Sequence, residues 1–250
     1  ARAMGGVLSL CGISEVYKIG GAQAIAAMAY GTKSVPAVDK IYGPGNAFVN
    51  EAKRQLFGKV GIDLLPGPSE VMVIADSCDK PRFVAADLLA QAEHGSGKEK
   101  IYLVSTSDKV IRGTEKSIRD QLPSLTHKAA IARVLKTNFA VIRVPNLDSA
   151  VEVANFVAPE HMELQVVSSQ IRSLTKRIST AGAILQGHYS ATALGDFTAG
   201  PSHALPTGRG GRFLSGLTVN DFFRRSSLVC YEKRHLQKAT KTIEVFARLE

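Results

Sequence analysis

Gln91 and His94 are the residues whose types and spacing point most directly to chemistry. Positions i and i+3 share one face of a helix, so an amide oxygen and an imidazole can reach one metal ion. A distant carboxylate such as Asp196 would complete the set, and zinc accepts nitrogen and oxygen ligands of this kind. Glutamine is an uncommon zinc ligand, so the alternative is a capped or hydrogen-bonded structural histidine.

Glu160 and His161 form a second candidate pair. They follow Pro159 and precede an apolar alternation, which predicts that both lie at the turn into a strand. A carboxylate and an imidazole can cooperate there in proton transfer, the alternative being an ordinary surface turn. His203 lies in a loop rich in glycine and proline, residues 200–211, where it either binds substrate or is simply exposed.

Two glycine turns, Gly20-Gly21 and Gly43-Pro44-Gly45, each follow a predicted strand and open a predicted helix. Backbone N–H groups and the helix dipole favour a phosphate in such turns. Asn46 is placed to cap the second helix or to contact a ligand. Together the turns resemble a binding crevice of an α/β sheet, whereas either turn alone is more typical of a plain strand-to-helix connection.

Short β-branched runs alternate with helical stretches along the whole chain, which predicts an α/β fold with mostly parallel sheets. The candidate strands are residues 15–19, 40–42, 71–75, 101–105, 140–144, 163–167 and 183–185. The candidate helices are residues 21–30, 46–57, 80–93, 107–122, 147–157 and 170–179.

A turn at Pro66-Gly67-Pro68 predicts a domain boundary, because two prolines and a glycine disfavour helix. We therefore predict part of a first Rossmann-like α/β domain at residues 1–66 and a second at residues 67–215, which carries the metal and catalytic candidates. Residues 216–250 would form a C-terminal helical segment.

Composition narrows the function classes. The 250 residues are 45% hydrophobic, with three scattered cysteines and a net charge of +9. No run of residues is long and apolar enough for a transmembrane helix. An odd number of scattered cysteines argues against a disulfide framework and therefore favours a reducing, intracellular compartment. Basic clusters such as Lys53-Arg54 and Arg224-Arg225 suggest solvent-facing helix surfaces rather than nucleic-acid binding, because no recognition signature accompanies them.

Nine segments in one order resemble the histidinol dehydrogenase family over nearly the whole chain. They are GGAQAIA (20–26), DKIYGPGNAFV (39–49), GPSE (67–70), DLLAQAEH (87–94), APEH (158–161), GD (195–196), AGPSHALPTG (199–208), RF (212–213) and SGL (215–217). A collinear set of this size is far more specific than any one of its members.

The resemblance implies a zinc-dependent enzyme that oxidises L-histidinol to L-histidine through L-histidinaldehyde with two NAD, the last step of histidine biosynthesis. It implies zinc ligands at Gln91, His94 and Asp196, and an acid–base pair at Glu160 and His161. The implied NAD contacts are Gln23 and Asn46 in the first domain, and the implied substrate contacts are Ser69, Gln91, His94, His161, Asp196, His203 and Glu250.

Family members extend further at both ends, so the resemblance predicts that the chain lacks an N-terminal part and a C-terminal tail. The tail would supply a histidine that completes the zinc site of the neighbouring subunit, which implies a homodimer with shared active sites in the cytoplasm, or in the plastid of a plant. We therefore expect the isolated chain to be weakly active or inactive. The alternatives are a silent fragment that keeps the fold, or a relative acting on another amino alcohol or a sulfonated alcohol.

Overall fold

A computed structural model describes residues 2–77 and 80–249, with the backbone alone for residues 2–4 and Asp196. The chain divides into two compact units, Ala1–Leu217 and Thr218–Glu250. Within the described residues, no helix has both the length and the apolar character needed to cross a membrane. Cys11 and Cys230 are exposed free thiols, and Cys78 lies outside the described residues. The three predicted domain segments stay a prediction.

A parallel five-stranded sheet dominates the first unit, as the alternation of apolar runs predicted. Its strands are β3 (Glu70–Ala75), β4 (Lys100–Ser105), β5 (Phe139–Arg143), β6 (His161–Gln165) and β7 (Ala183–Gln186), in the order β5-β4-β3-β6-β7. The chain moves outward from β3 to β5 and then crosses back to β6, so β3 and β6 are neighbours at the point where the order reverses. The α/β class is confirmed.

Helices cover both faces of this sheet because its central strand is apolar on both sides. Val71 and Val73 of β3 pack against Leu88 on one face, whereas Met72 and Ile74 pack with Ala154 on the other. The helices are α4 (Pro81–Ala92), α5 (Asp108–Gln121), α6 (Lys128–Asn138), α7 (Leu147–Val157) and α8 (Ser168–Arg177), and the short helix α9 (Thr192–Phe197) follows β7. Such a two-sided strand is typical of doubly wound sheets.

A second, smaller sheet precedes the large one. Strands β1 (Lys40–Ile41) and β2 (Gly61–Ile62) are parallel, and helices α2 (Ala22–Tyr30) and α3 (Ala47–Leu56) pack beside them around Ile25 and Ile41. Helix α1 (Arg2–Leu10) comes first in the chain. The second unit contains a short 3₁₀ turn and helix α10 (Lys233–Leu249).

The predicted strand at residues 15–19 is wrong. The segment has no regular structure, and its apolar residues Val16, Tyr17 and Ile19 are about half exposed. A strand requires a neighbour to complete its hydrogen bonds. Within the described residues β1 pairs with β2, and no strand lies beside residues 15–19. The β-branched residues of this segment favour a strand, but its backbone has no neighbouring strand with which to form hydrogen bonds.

The connection between the two sheets determines where a site can form. Strand β2 ends at Ile62, and the chain enters β3 at Glu70 after a short linker. The carboxyl ends of β1 and β2 therefore lie near the amino ends of β3 and its neighbours. Open α/β sheets usually bind ligands at their carboxyl edge. Here the linker instead brings that edge of the small sheet to the amino edge of the large one.

Candidate active site

Glu160 and His161 lie at the amino end of β6, both buried, and the backbone of Glu70 holds them both. The Glu70 N–H donates to Glu160 Oε2 over 3.0 Å, and the Glu70 carbonyl oxygen lies 3.3 Å from His161 Nδ1. His161 Nδ1 and Glu160 Oε2 are 3.7 Å apart. Because β3 and β6 pair with Val71 opposite His161, the register of the sheet fixes this arrangement.

Glu70 is itself a buried carboxylate with one defined partner. Its Oε1 accepts a hydrogen bond from Lys100 Nζ at 2.8 Å, across the β3–β4 register that pairs the two residues. This hydrogen bond to the Glu70 carboxylate raises the pKa of Lys100 above its usual range, against the opposing effect of burial. The charge pair ties the amino ends of β3 and β4 together next to the Glu160–His161 pair.

A cavity of about 440 Å³ brings several predicted residues together. Gln91 at the end of α4, His94, His203 and the start of α9 all line it. Gln91 is 2% exposed, and neither its Oε1 nor its Nε2 has a hydrogen-bond partner. Buried amides are almost always paired, so an unpaired one beside two imidazoles indicates a place for a ligand.

The geometry of Gln91 and His94 differs from the shared helix face that their spacing suggested. Helix α4 ends at Ala92, and His94 lies in the following turn, where its N–H donates to the Gln91 carbonyl oxygen at 3.4 Å. Both residues nevertheless reach one cavity. Helix α9 carries Asp196, whose side chain lies outside the described residues. Among described side chains, no group of three His, Cys, Asp or Glu could hold a metal.

A second cavity, of about 610 Å³, adjoins the first through His94. Asn46, Ser69 and His94 line it, together with Arg54 and Lys98. Asn46 caps α3, because its Oδ1 accepts from the N–H groups of Phe48 and Val49 at 3.1 Å. A ligand would therefore be contacted through the amide nitrogen of Asn46. The structure thus places Asn46 and Ser69 on one cavity.

Gln23 lies at the start of α2, away from the described lining of both cavities. Its amide oxygen would be 2.9 Å from a Cβ atom at Gly21, whose φ of 78° also favours glycine. The backbone conformation at this turn therefore favours glycine at position 21, whereas a Cβ atom at Gly20 would meet open space. Glu250 lies outside the described residues, so its predicted substrate contact stays a prediction.

Glu99 is a site residue that the sequence analysis missed. It is buried beside the larger cavity, and its Oε1 accepts from the Ser96 N–H at 2.6 Å. Burial opposes its ionisation, but hydrogen bonds from the backbone of Glu99, Ser96 and Gly97 and from the Ser96 side chain outweigh burial and lower its pKa below 4.5. Glu99 thereby fixes the loop that follows His94.

Replacing Glu99 by glutamine is expected to reduce the free energy of unfolding by about 1.5–3 kcal/mol at neutral pH, the usual range for hydrogen bonds to a charged group. Because the folded pKa is the lower one, the carboxylate stabilises the fold above pH 4.5 and loses this effect as the pH falls through its folded value. Urea unfolding across this range should show the difference from the parent shrinking with acid. A constant difference would contradict this cause, and the exposed Glu152→Gln is the control.

Lys53 is the clearest correction to the sequence analysis, which placed it on a solvent-facing helix surface. Its side chain is fully buried. Nζ donates to the carbonyl oxygens of Gly43 at 2.8 Å and Leu64 at 3.1 Å, and to Asp63 Oδ1. Asp63 Oδ2 in turn accepts from the Gly43 N–H at 2.7 Å. This network fastens the glycine turn before Asn46 to the chain leaving β2.

The sequence of the chain is similar to those of known proteins along nearly its whole length. The sequence profile of the histidinol dehydrogenase family matches residues 3–250. The histidinol dehydrogenase of Chlorobium chlorochromatii is 44% identical over 241 residues, which are 96% of this chain and 56% of that protein. The histidinol dehydrogenase of Ralstonia nicotianae is 49% identical over 220 residues, covering 88% of this chain and 49% of its own length.

A solved structure is similar as well. The crystal structure of histidinol dehydrogenase from Elizabethkingia anophelis superposes with a TM-score of 0.91 at 36% sequence identity, over 96% of this chain and 55% of that one. The fold described above is thus shared along nearly the whole chain. The chain spans about half the length of the curated relatives that it matches.

Proposed function

The chain belongs to the histidinol dehydrogenase family, and on that premise we propose that it contributes the catalytic part of an enzyme that oxidises L-histidinol to L-histidine. The reaction would pass through L-histidinaldehyde, use two NAD and end histidine biosynthesis. The observation that carries the proposal is the unpaired buried amide of Gln91, which lines one cavity with His94 and His203.

Zinc fits the residues at this cavity. Gln91, His94 and Asp196 would hold it, and the two orphaned amide atoms of Gln91 leave its oxygen available as a ligand. Bound zinc would act mainly as a template that orients the substrate's imidazole and amino nitrogens. Ser69 lines the larger cavity and His203 lines the smaller one, and His94 lines both. From these places Ser69 and His203 would contact the substrate.

NAD would occupy the larger cavity and accept hydride from the substrate carbon. Asn46 would contact it through its amide nitrogen, since its oxygen caps α3. Arg54 and Lys98 line the same cavity and supply positive charge toward a pyrophosphate. Gln23, behind the first glycine turn, would complete the cofactor contacts.

His161 would take the hydroxyl proton of the alcohol. A carbonyl oxygen can only accept a hydrogen bond, so the contact with the Glu70 oxygen assigns the proton to Nδ1 and leaves the lone pair on Nε2. Histidine is the side chain best suited to exchange a proton near neutral pH, which fits it for this task.

Glu160 would activate the water that converts the aldehyde into the acid. Its Oε2 accepts the Glu70 N–H, which holds the carboxylate beside His161 while it takes a proton from water. A homodimer with shared sites, the substrate contact of Glu250 and a cytoplasmic location belong to the same proposal.

The decisive experiment measures metal and turnover together. The protein is stripped with a chelator, zinc is restored, and NADH formation is followed by absorbance with L-histidinol or with L-leucinol, an amino alcohol without an imidazole. We expect weak, zinc-dependent NADH formation with L-histidinol and none with L-leucinol, at the low rate expected of a chain that spans about half the length of its relatives. Zinc binding without turnover would favour a binding module, and equal rates with both alcohols would favour a relative of different specificity.

A further inference from the structure

Helix α9, which carries Asp196, is short and poorly anchored. It has six residues, and no side chain caps its N-terminus. Leu194 is 44% exposed and Phe197 82%, whereas Thr192 at its first position is buried. A helix with so little buried apolar surface depends on other contacts for its position. Among the described side chains of α9, Thr192 makes hydrogen bonds to the large sheet.

Glu163 provides the contacts to Thr192. It lies in the middle of β6, is 1% exposed, and its Oε1 accepts from the Thr192 N–H at 3.1 Å and from the Thr192 hydroxyl at 2.6 Å. Charge-assisted hydrogen bonds in a buried place are stronger than neutral ones. The start of α9 is therefore fixed to the strand that begins with His161.

The same carboxylate is linked to helix α4. Glu163 Oε2 accepts from Gln165 Nε2 at 3.0 Å, and Gln165 Nε2 also donates to Asp87 Oδ2 at 2.6 Å. Asp87 lies four residues, about one helical turn, before Gln91. One hydrogen-bonded chain thus runs from α9 through β6 to α4, and it joins the two elements that carry Asp196 and Gln91.

We propose that Glu163 is a positioning residue that sets the separation of α9 from α4 and thereby the geometry of the zinc ligands. The inference rests on the proposed function, because it takes Gln91, His94 and Asp196 as those ligands. Residues that orient metal ligands typically change metal affinity 10–100-fold when they are replaced. Glu163 would do so without touching the metal, through Thr192 on one side and Gln165 on the other.

Glu163→Gln is the substitution that tests this role. Glutamine has nearly the same shape, but one of the two carboxylate oxygens becomes an NH₂ group. If its oxygen still accepts from Thr192, the NH₂ meets the Gln165 Nε2 donor. Turning the Gln165 amide around would remove that conflict but would direct its oxygen at the Asp87 carboxylate. The chain therefore breaks at one junction in either arrangement.

The experiment compares zinc affinity and backbone protection in parent and variant. Zinc affinity is measured by competition with a chromophoric chelator, well below the melting transitions, and is expected to fall about 10–100-fold in Glu163→Gln. Hydrogen exchange of the metal-free proteins should become faster across residues 192–197 and stay unchanged in α8. Asp76→Asn is the matched control, because Asp76 is a buried carboxylate that accepts from the Val167 N–H at 2.9 Å at the opposite edge of the sheet.

Two results would overturn the inference. If Glu163→Gln lowers the melting temperature but binds zinc like the parent, the network is only structural. If exchange across residues 192–197 is unchanged, Glu163 does not anchor α9. A parent protein that binds no zinc would instead contradict the proposed function, and the exchange experiment would still decide the anchoring role.

Discussion

Replacing His161 by asparagine is expected to slow the oxidation of L-histidinol by about 10²–10⁴-fold, the usual contribution of a positioned general base. The asparagine NH₂ can still donate to the Glu70 carbonyl oxygen, as Nδ1 does at 3.3 Å, but the Nε2 lone pair is lost. Zinc affinity and melting temperature should stay close to those of the parent. Steady-state NADH formation measures the effect, with exposed His127→Asn as the matched control.

The companion variant Glu160→Gln separates the two half-reactions. Its amide oxygen can still accept from the Glu70 N–H, so the fold at the start of β6 is retained. We expect oxidation of supplied L-histidinaldehyde to slow by about 10²–10⁴-fold, with a smaller effect on the alcohol step. Equal loss in both half-reactions for both variants would contradict the division of roles between base and water activator.

Local patterns in the sequence predicted the elements and the types of site residue well. The apolar run of β3 is buried on both faces, and the turn after Pro159 does place Glu160 and His161 at the start of a strand. Helix α6 was missed although Ile131 and Val134 show the expected spacing of three.

Long-range features could not be predicted in the same way. The strand order that places His161 beside Glu70 depends on pairing across about ninety residues, and the amide of Gln91 is recognised as unpaired only once its surroundings are known. The Glu163 network likewise joins three elements that are distant in the chain. Lys53 was misplaced for the same reason, because its acceptors lie on the Gly43 turn and after β2.

Replacing Lys53 by methionine is therefore expected to lower the free energy of unfolding by about 3–5 kcal/mol, the typical cost of leaving one charge of a buried pair uncompensated. Of its contacts with Lys53 and Gly43, the buried Asp63 would keep only that with the Gly43 N–H, and two carbonyl oxygens would lose the Lys53 donor. Urea unfolding followed by circular dichroism measures the loss. Arg54→Met is the control, because the exposed Arg54–Glu51 pair contributes about 1 kcal/mol or less.

The double variant Lys53→Met/Asp63→Asn tests whether the buried charge is the cause. Asparagine removes the uncompensated charge and can still accept from the Gly43 N–H, so the double variant should be more stable than Lys53→Met alone. If the loss in the double variant equals the sum of the losses in Lys53→Met and in Asp63→Asn alone, the ion pair is not coupled and the cost belongs to the lost carbonyl contacts. Because the network fixes the turn before Asn46, NAD affinity should likewise be lower in Lys53→Met than in the double variant. An unchanged NAD affinity in Lys53→Met would separate the stability of this turn from its role in binding the cofactor.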